Sequence, residues 1–250
     1  MNRLPLRYGA TYFCAYSSNL MICAIYTILM KTIVGIIKIR RIAMDRQLTE
    51  FLINRESQVT TDIDVITAAV AVPLLEVDGE DHIVFTVRSH QLRRQPGEIS
   101  FPGGHFESTD KTGADAAIRE CSEELGIAIE QIELLGPLDC LVSAIGVKLH
   151  AVVVRLHTSE FGPNNAEVGE IFTVPLSHLL KMEPTVGHLD IGTKPLRDFP
   201  FDLLEGYQID WKIRQNYSVY FYPYKQYTIW GLTGRVLKNF LDLYRQGNNI

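Results

Sequence analysis

Glu120, Glu123 and Glu124 stand at i, i+3 and i+4 in AAIRECSEELGI, so a helix through this segment gathers three carboxylates on one side. Like charges at these spacings each cost an isolated helix roughly 0.2–0.5 kcal/mol, and a divalent cation would remove the conflict. Ala114, Ala117, Ile118, Cys121 and Leu125 fall on the opposite arc, the apolar side that such a helix turns to a core. Oxygen-only ligands, with no His or Cys among them, suit a hard ion, Mg²⁺ or Mn²⁺, better than Zn²⁺.

Acid pairs at helical spacing are ordinarily solvated surface. The surrounding residues argue for more. Pro102-Gly103-Gly104 lies shortly before the helix, Arg119 stands directly ahead of the first acid, and Gly126 occupies the place of a left-handed cap. Further upstream, Arg88, Arg93 and Arg94 carry planar guanidinium groups that can grip phosphates with two parallel hydrogen bonds. An ordinary basic loop is the plain alternative for these arginines, and their place just before the glycine pair favours a polyanion site. Gly103 and Gly104 would let the backbone approach a ligand or metal closely.

The string from Phe101 to Ile127 resembles the Nudix box, Gly-x5-Glu-x7-Arg-Glu-hydrophobic-x-Glu-Glu-x-Gly-hydrophobic. Arg119, Glu120, Cys121, Glu123, Glu124, Gly126 and Ile127 match the second half at every fixed position. The first half departs from it: counting back from Arg119 puts the opening glycine at His105 and the first glutamate at Lys111, so the loop is one residue longer. In this it is similar to the coenzyme A pyrophosphatase branch, with an acid at Asp110. That branch also carries an upstream signature, which Arg88-Ser89-His90-Gln91-Leu92-Arg93-Arg94-Gln95-Pro96-Gly97-Glu98-Ile99-Ser100-Phe101-Pro102-Gly103-Gly104 fits, with Gln95 where some members have His. Asn165 to Leu176 and Ile229 to Arg235 are similar to later Nudix and branch segments.

The resemblance implies an α/β fold, the Nudix α/β/α sandwich with a mixed central sheet, over about Met44 to Tyr244. It implies metal-dependent hydrolysis of the pyrophosphate bond of coenzyme A or a derivative, giving 3′,5′-ADP and 4′-phosphopantetheine or its acyl form. Glu120 and Glu124 are the expected principal metal ligands, with Glu123 serving a second ion or its water shell and the Gly104 carbonyl as a further ligand. Arg119 would hold the acids, with Asp110 or Glu107 as its partner. Glu167 is the candidate general base and Glu170 the alternative, while Arg88, Arg93, Arg94, Gly103 and Gly104 would bind substrate. Two other functions stay open: a broader pyrophosphatase acting on ADP-ribose, NADH or dinucleoside polyphosphates, and a nucleotide-sensing module that does not cleave. Retention of Arg119, Glu120, Glu123 and Glu124 argues against the last.

These residues need elements to hold them. Val65 to Val77 and His82 to Arg88 read as strands joined at Asp78-Gly79, a strong hairpin signal. Ile132 to Leu138, Val147 to Leu156, Ile171 to Val174 and Tyr217 to Tyr222 read as further strands. A short helix is expected near Pro175 and a terminal one over Trp230 to Tyr244, with Leu232, Val236, Leu237, Phe240 and Leu241 on its apolar face.

The chain has 250 residues, 46% of them hydrophobic, which supports one sizeable core with appendages. A net charge of −5 and the lack of a basic stripe argue against nucleic acid as a partner. Of four cysteines, Cys14 and Cys23 lie near the N-terminus, leaving Cys121 and Cys140 in the domain, so a disulfide framework is not expected. The expected partner is the nucleotide substrate, and a homodimer is the assembly carried as an expectation.

Residues 1–43 differ from residues 44–250, the expected Nudix domain. Gly9 to Met30 carries no charge and Lys38, Arg40 and Arg41 follow, which reads as a membrane anchor with the catalytic domain in the cytoplasm. A second expectation ranks above it. Asp45 to Ser57 resembles the amphipathic opening of a soluble enzyme, with Leu48, Phe51 and Leu52 on one face, and Arg40-Arg41 encoded AGG-AGG would form a ribosome-binding sequence just before Met44. Translation would then start at Met44 and yield a cytoplasmic protein. The codons of Arg40 and Arg41 test this.

Overall fold

In the computed structural model of the chain, residues 20–56, 64–204 and 206–249 are described, with main chain alone at 20–27 and 39–45. The chain divides into two compact units, Met1–Thr60 and Thr61–Ile250. The first holds one long helix, α1 (Leu20–Ile53), and Leu48, Phe51 and Leu52 are exposed along it. Among the described residues no helix is long and apolar enough to cross a membrane. Residues 9–19 of the uncharged stretch lie outside them.

The second unit opens with β1 (Ile66–Val77) and β2 (Glu80–Arg88), joined through Asp78 and Gly79 at φ 52° and 80°. Positive φ at both central residues is the tight hairpin turn that an Asp-Gly pair favours. Two short strands follow, β3 (Ile99–Ser100) and β4 (Gly103–His105), then α2 (Gly113–Leu125). Next come β5 (Ile132–Pro137), β6 (Leu141–Val142), β7 (Val147–Leu156), β8 (Val168–Pro175) and α3 (Leu176–Lys181). The chain ends with β9 (Thr185–Thr193), β10 (Lys212–Tyr224), β11 (Tyr227–Ile229) and α4 (Gly231–Asn248).

Eight strands form one sheet in the order β3-β2-β1-β7-β5, with β4 also on β1, β6 on β7 and β8 on β2. β1 and β7 run parallel from Ile66 opposite Val147 to Leu75 opposite Leu156, while the other pairs are antiparallel, so the sheet is mixed. Both central strands are covered on each face, which explains their near-continuous apolar runs. On one face Ile83, Phe85, Leu149, Phe172 and Val174 pack with Leu176 and Leu179 of α3 and Val236, Leu237, Phe240 and Leu241 of α4. Phe85 stacks between Phe101 at 4.9 Å and Phe172 at 5.4 Å, and burial of each such ring contributes about 1.5–3 kcal/mol. On the other face Ala69, Ala71, Val84, Val152 and Val154 pack with Ala116, Ala117, Cys121 and Leu125 of α2. The result is the expected α/β/α sandwich.

Two features differ from expectation. The terminal strand is longer than Tyr217 to Tyr222, and its partner β9 was not anticipated. β9 reads TVGHLDIGT, whose two glycines and near-complete exposure leave no alternation of buried and exposed residues to detect. On α2, Ala116 joins the buried face, and so does Glu124, which the sequence placed with its fellow acids on the side away from the core.

Candidate functional site

Both ends of α2 are fixed by local chemistry. Thr112 accepts a hydrogen bond from the Asp115 N–H while the Asp115 carboxylate accepts one from the Thr112 N–H, a reciprocal capping box. Gly126 ends the helix at φ 64°, and a Cβ there would lie 1.8 Å from the Gly162 carbonyl oxygen. Only glycine permits that approach, which packs the β7–β8 loop onto the helix end. Gly162 N–H donates to the Leu125 carbonyl at 3.0 Å and Asn164 N–H to that of Glu124 at 3.4 Å.

The three box acids sit at graded depths. The Glu124 residue is 6% exposed; the Glu120 side chain is 17% exposed and that of Glu123 57%. Burial pushes the Glu124 carboxyl up to about 7; Glu120 and Glu167 add to this, while the Gly103 N–H, 3.5 Å away, and Arg88 oppose it. Glu120 is also raised, chiefly by burial and further by Glu123 and Glu167, against the pull of Arg119. The buried Cys121 thiol, pushed up to about 12, is an inert core group.

Arg119 gathers the loop and the acids. Its Nη2 donates to Asp110 Oδ2 and to the His105 carbonyl, each at 3.0 Å, and Nε donates to Asp110 Oδ1 at 3.3 Å. Nη1 donates to Glu120 at 2.9 Å and Glu123 at 3.3 Å, while Glu107 lies at 3.8 Å. Of the two partners expected for Arg119, Asp110 is therefore the close one, and Glu107 lies at the margin. The guanidinium holds the Asp110 carboxyl below its usual range.

Gly103 and Gly104 pair with Val70 and Ala69 in β1. A Cβ on Gly104 would lie 2.5 Å from the Glu120 carboxyl, so backbone and carboxylate are in direct apposition there. Arg88, at the end of β2, acts on the Glu124 charge and keeps a buried Nε with no hydrogen-bond partner. The other nitrogens of the Arg88 guanidinium form a planar set of donors of the kind that holds an anionic group. Arg93 and Arg94 are exposed on the loop beyond, and neither has an ion-pair partner among the described residues.

Glu167 is tied into this cluster. Its carbonyl accepts from Ser89 N–H at 2.8 Å, its side chain accepts from Asn164 Nδ2 at 3.3 Å, and its charge reaches both Glu120 and Glu124. Glu170 is not. It pairs in register with Val87, a residue packed against the core on the α4 side of the sheet, and its carboxylate accepts from Tyr227 Oη. Tyr227 in turn stacks on Phe172 at 3.8 Å. Glu170 thus belongs to the face opposite α2. Sequence reasoning assigned no role to Ser89, Asn164 or Tyr227; Ser89 is a position of the upstream signature, and Asn164, as an Asx-type turn former three residues before Glu167, carried a readable signal as well.

Among the described residues no three acids or histidines are already assembled as a metal-ligand set. The groups that could hold a hard cation are Glu120 and Glu124, one turn apart, with the Gly104 backbone against Glu120. A buried carboxyl destabilised by its own ionisation and flanked by a second carboxyl is a donor set such an ion would satisfy. Glu123 faces solvent and Arg119 instead.

Residues 65–190 match the sequence profile described as NUDIX domain. The Nudix hydrolase NudL of Pectobacterium atrosepticum is 31% identical over 171 residues, which cover 68% of this chain and 78% of that protein. The peroxisomal coenzyme A diphosphatase NUDT7 of Mus musculus is 39% identical over 132 residues, covering 52% of this chain and 55% of its own. The mitochondrial coenzyme A diphosphatase NUDT8 of Homo sapiens is 39% identical over 121 residues, covering 47% and 51%. With the profile spanning half the chain and the capped acidic helix lying inside it, this protein belongs to the Nudix family.

Proposed function

We propose that this Nudix hydrolase cleaves the pyrophosphate bond of coenzyme A or a derivative, releasing 3′,5′-ADP and 4′-phosphopantetheine or its acyl form. What supports the reading is the Arg88 to Gly104 segment, which fits the coenzyme A branch signature throughout and whose Arg88 charge acts on Glu124. The likeness to two proteins named coenzyme A diphosphatases supports it, although the chain spans only about half the length of each.

Phosphorus flanked by anionic oxygens repels a nucleophile, so charge must be neutralised and a water positioned. Arg88 grips a phosphate oxygen, and Arg93 and Arg94, exposed on the loop beyond, meet the 3′-phosphate. Glu167 accepts the proton of the attacking water; the new P–O bond forms as the bridging P–O bond breaks, and the leaving phosphate takes its electron pair. Arg119, braced on Asp110, keeps Glu120 aimed inward. Mg²⁺ or Mn²⁺, held by Glu120, Glu124 and the Gly104 carbonyl, would supply charge neutralisation at the phosphates when bound.

A substrate panel tests the reading. Purified protein with Mg²⁺ or Mn²⁺ is offered coenzyme A, acyl-coenzyme A, ADP-ribose, NADH and a dinucleoside polyphosphate, with products identified by mass spectrometry. Coenzyme A left intact while another substrate is cleaved would overturn the substrate assignment and keep the enzyme class. Tight nucleotide binding without turnover of any substrate would overturn both.

A further inference from the structure

Thr86 and Val87 of β2 pair with Ser100 and Ile99 of β3 on one side and with Ile171 and Glu170 of β8 on the other. Arg88 follows them, its N–H bonded to the Glu98 carbonyl on the β3 side and its other edge opposite Val168 of β8. Arg88 thus stands between two flanks: the loop of Arg93 and Arg94 leads to β3, and β8 lies across β2 from it. Among the described residues β8 pairs with β2 alone, and no loop or turn bonds to the backbone of residues 169–174. Every second residue of that edge therefore turns its N–H and C=O outward. Beside it lies a cleft of about 380 Å³, lined by Ile171, Phe172 and Thr173, by Phe161 of the β7–β8 loop and by the β10–β11 turn at residues 224–227. That volume is within the roughly 300–1,000 Å³ of small-molecule sites.

We infer that this cleft takes the pantetheine arm of the substrate, its two amides pairing with the outer edge of β8 as an added strand does. The inference rests on coenzyme A being the substrate. One loop joins the cleft to the site: Phe161 lines the cleft, Gly162 and Asn164 bond to the carbonyls of Leu125 and Glu124 at the end of α2, and Glu167 follows. Length agrees. The extended arm spans about 15 Å from phosphorus to sulfur, at the ~3.3–3.6 Å that three chain bonds cover. Ile171 and Thr173 lie four and six residues beyond Glu167, about 13 and 20 Å along a strand. Chemistry agrees too. The lining holds no carboxylate and one charged group, Lys225, whose Nζ lies 5.1 Å from the Tyr224 ring centre. Aromatic and aliphatic groups with Thr173, Gln226 and a strand edge match a neutral, amide-bearing chain. The phosphorylated adenosine needs basic groups, and those stand across β2 at Arg93 and Arg94.

Hydrogen exchange of the full chain with Mg²⁺ tests this against two probes, 4′-phosphopantetheine and 3′,5′-ADP. The first should slow exchange of the outward β8 amides within residues 169–174, and the second should leave them unchanged. A Gln226→Trp variant, altered on the exposed turn, should bind 4′-phosphopantetheine about tenfold or more weakly in calorimetry and 3′,5′-ADP as before. Should that variant misfold, exchange in the unaltered protein still decides. Protection of β8 by 3′,5′-ADP, or by neither probe, would overturn the inference. The substrate reading fails separately: with β8 protected by 4′-phosphopantetheine and coenzyme A not hydrolysed, the cleft keeps its ligand and the enzyme loses its assigned substrate.

Discussion

Arg119 and Asp110 face each other in a two-pronged pair, Nη2 to Oδ2 at 3.0 Å and Nε to Oδ1 at 3.3 Å, which ties the glycine-rich loop to α2. Removing one partner leaves the other charge poorly compensated in a site where the guanidinium is 15% and the carboxylate 4% exposed. Arg119→Ala should therefore cost about 2–4 kcal/mol in denaturant unfolding. Arg119→Lys should recover little, because an ammonium cannot reproduce the fork to Asp110 while also reaching the His105 carbonyl and Glu120.

The same pair sets an acid limb of stability. The Asp110 carboxyl lies below its unfolded value, so the folded state holds fewer protons there and the stabilisation is present above about pH 3.9. It is lost as pH falls through the folded value. Asp110→Asn should flatten this limb in thermal melts recorded from pH 5 downward; an unchanged acid profile would contradict the coupling.

Glu124→Gln should lower kcat by at least about a hundredfold while the protein stays folded. Burial already disfavours the Glu124 carboxylate, so a neutral amide of the same shape should leave the metal-free melting temperature at pH 8 unchanged or raise it. Calorimetric titration with Mn²⁺ should show weakened binding in the variant.

The adjacent glycines should fail in different ways. A Cβ on Gly103 meets the Ala69 carbonyl oxygen at 2.3 Å, a backbone atom that cannot yield, so Gly103→Ala should destabilise the fold by about 2 kcal/mol or more. A Cβ on Gly104 meets the end of the Glu120 side chain, which can swing aside. Gly104→Ala should keep most of the stability and lose most of the turnover, as read by paired melting and steady-state assays.

Glu167 and Glu170 should separate by function. Glu167→Gln should reduce kcat by roughly 10²-fold or more with a changed pH–rate profile. Glu170→Gln, which disturbs only the Tyr227 contact on the opposite face, should stay within about threefold of the unaltered enzyme.

The acidic helix, its glycine cap, the Asp78-Gly79 hairpin and the long apolar strands are legible in the chain because each depends on a local rule: periodicity, left-handed backbone or burial on both faces. So was the place of Glu120, Glu123 and Glu124 on one helix. Their inequality was not. Glu124 is buried because β4 and the β7–β8 loop close over α2 from distant parts of the chain, and no helical wheel includes those neighbours. The same holds for Glu167 and Glu170, which are three residues apart and indistinguishable in type. A register shift where Arg88 and Val87 pair with Val168 and Glu170 accompanies their placement on different sides of the sheet. Residue type and spacing determined what chemistry is available here; long-range packing decided which carboxylates are placed to perform it.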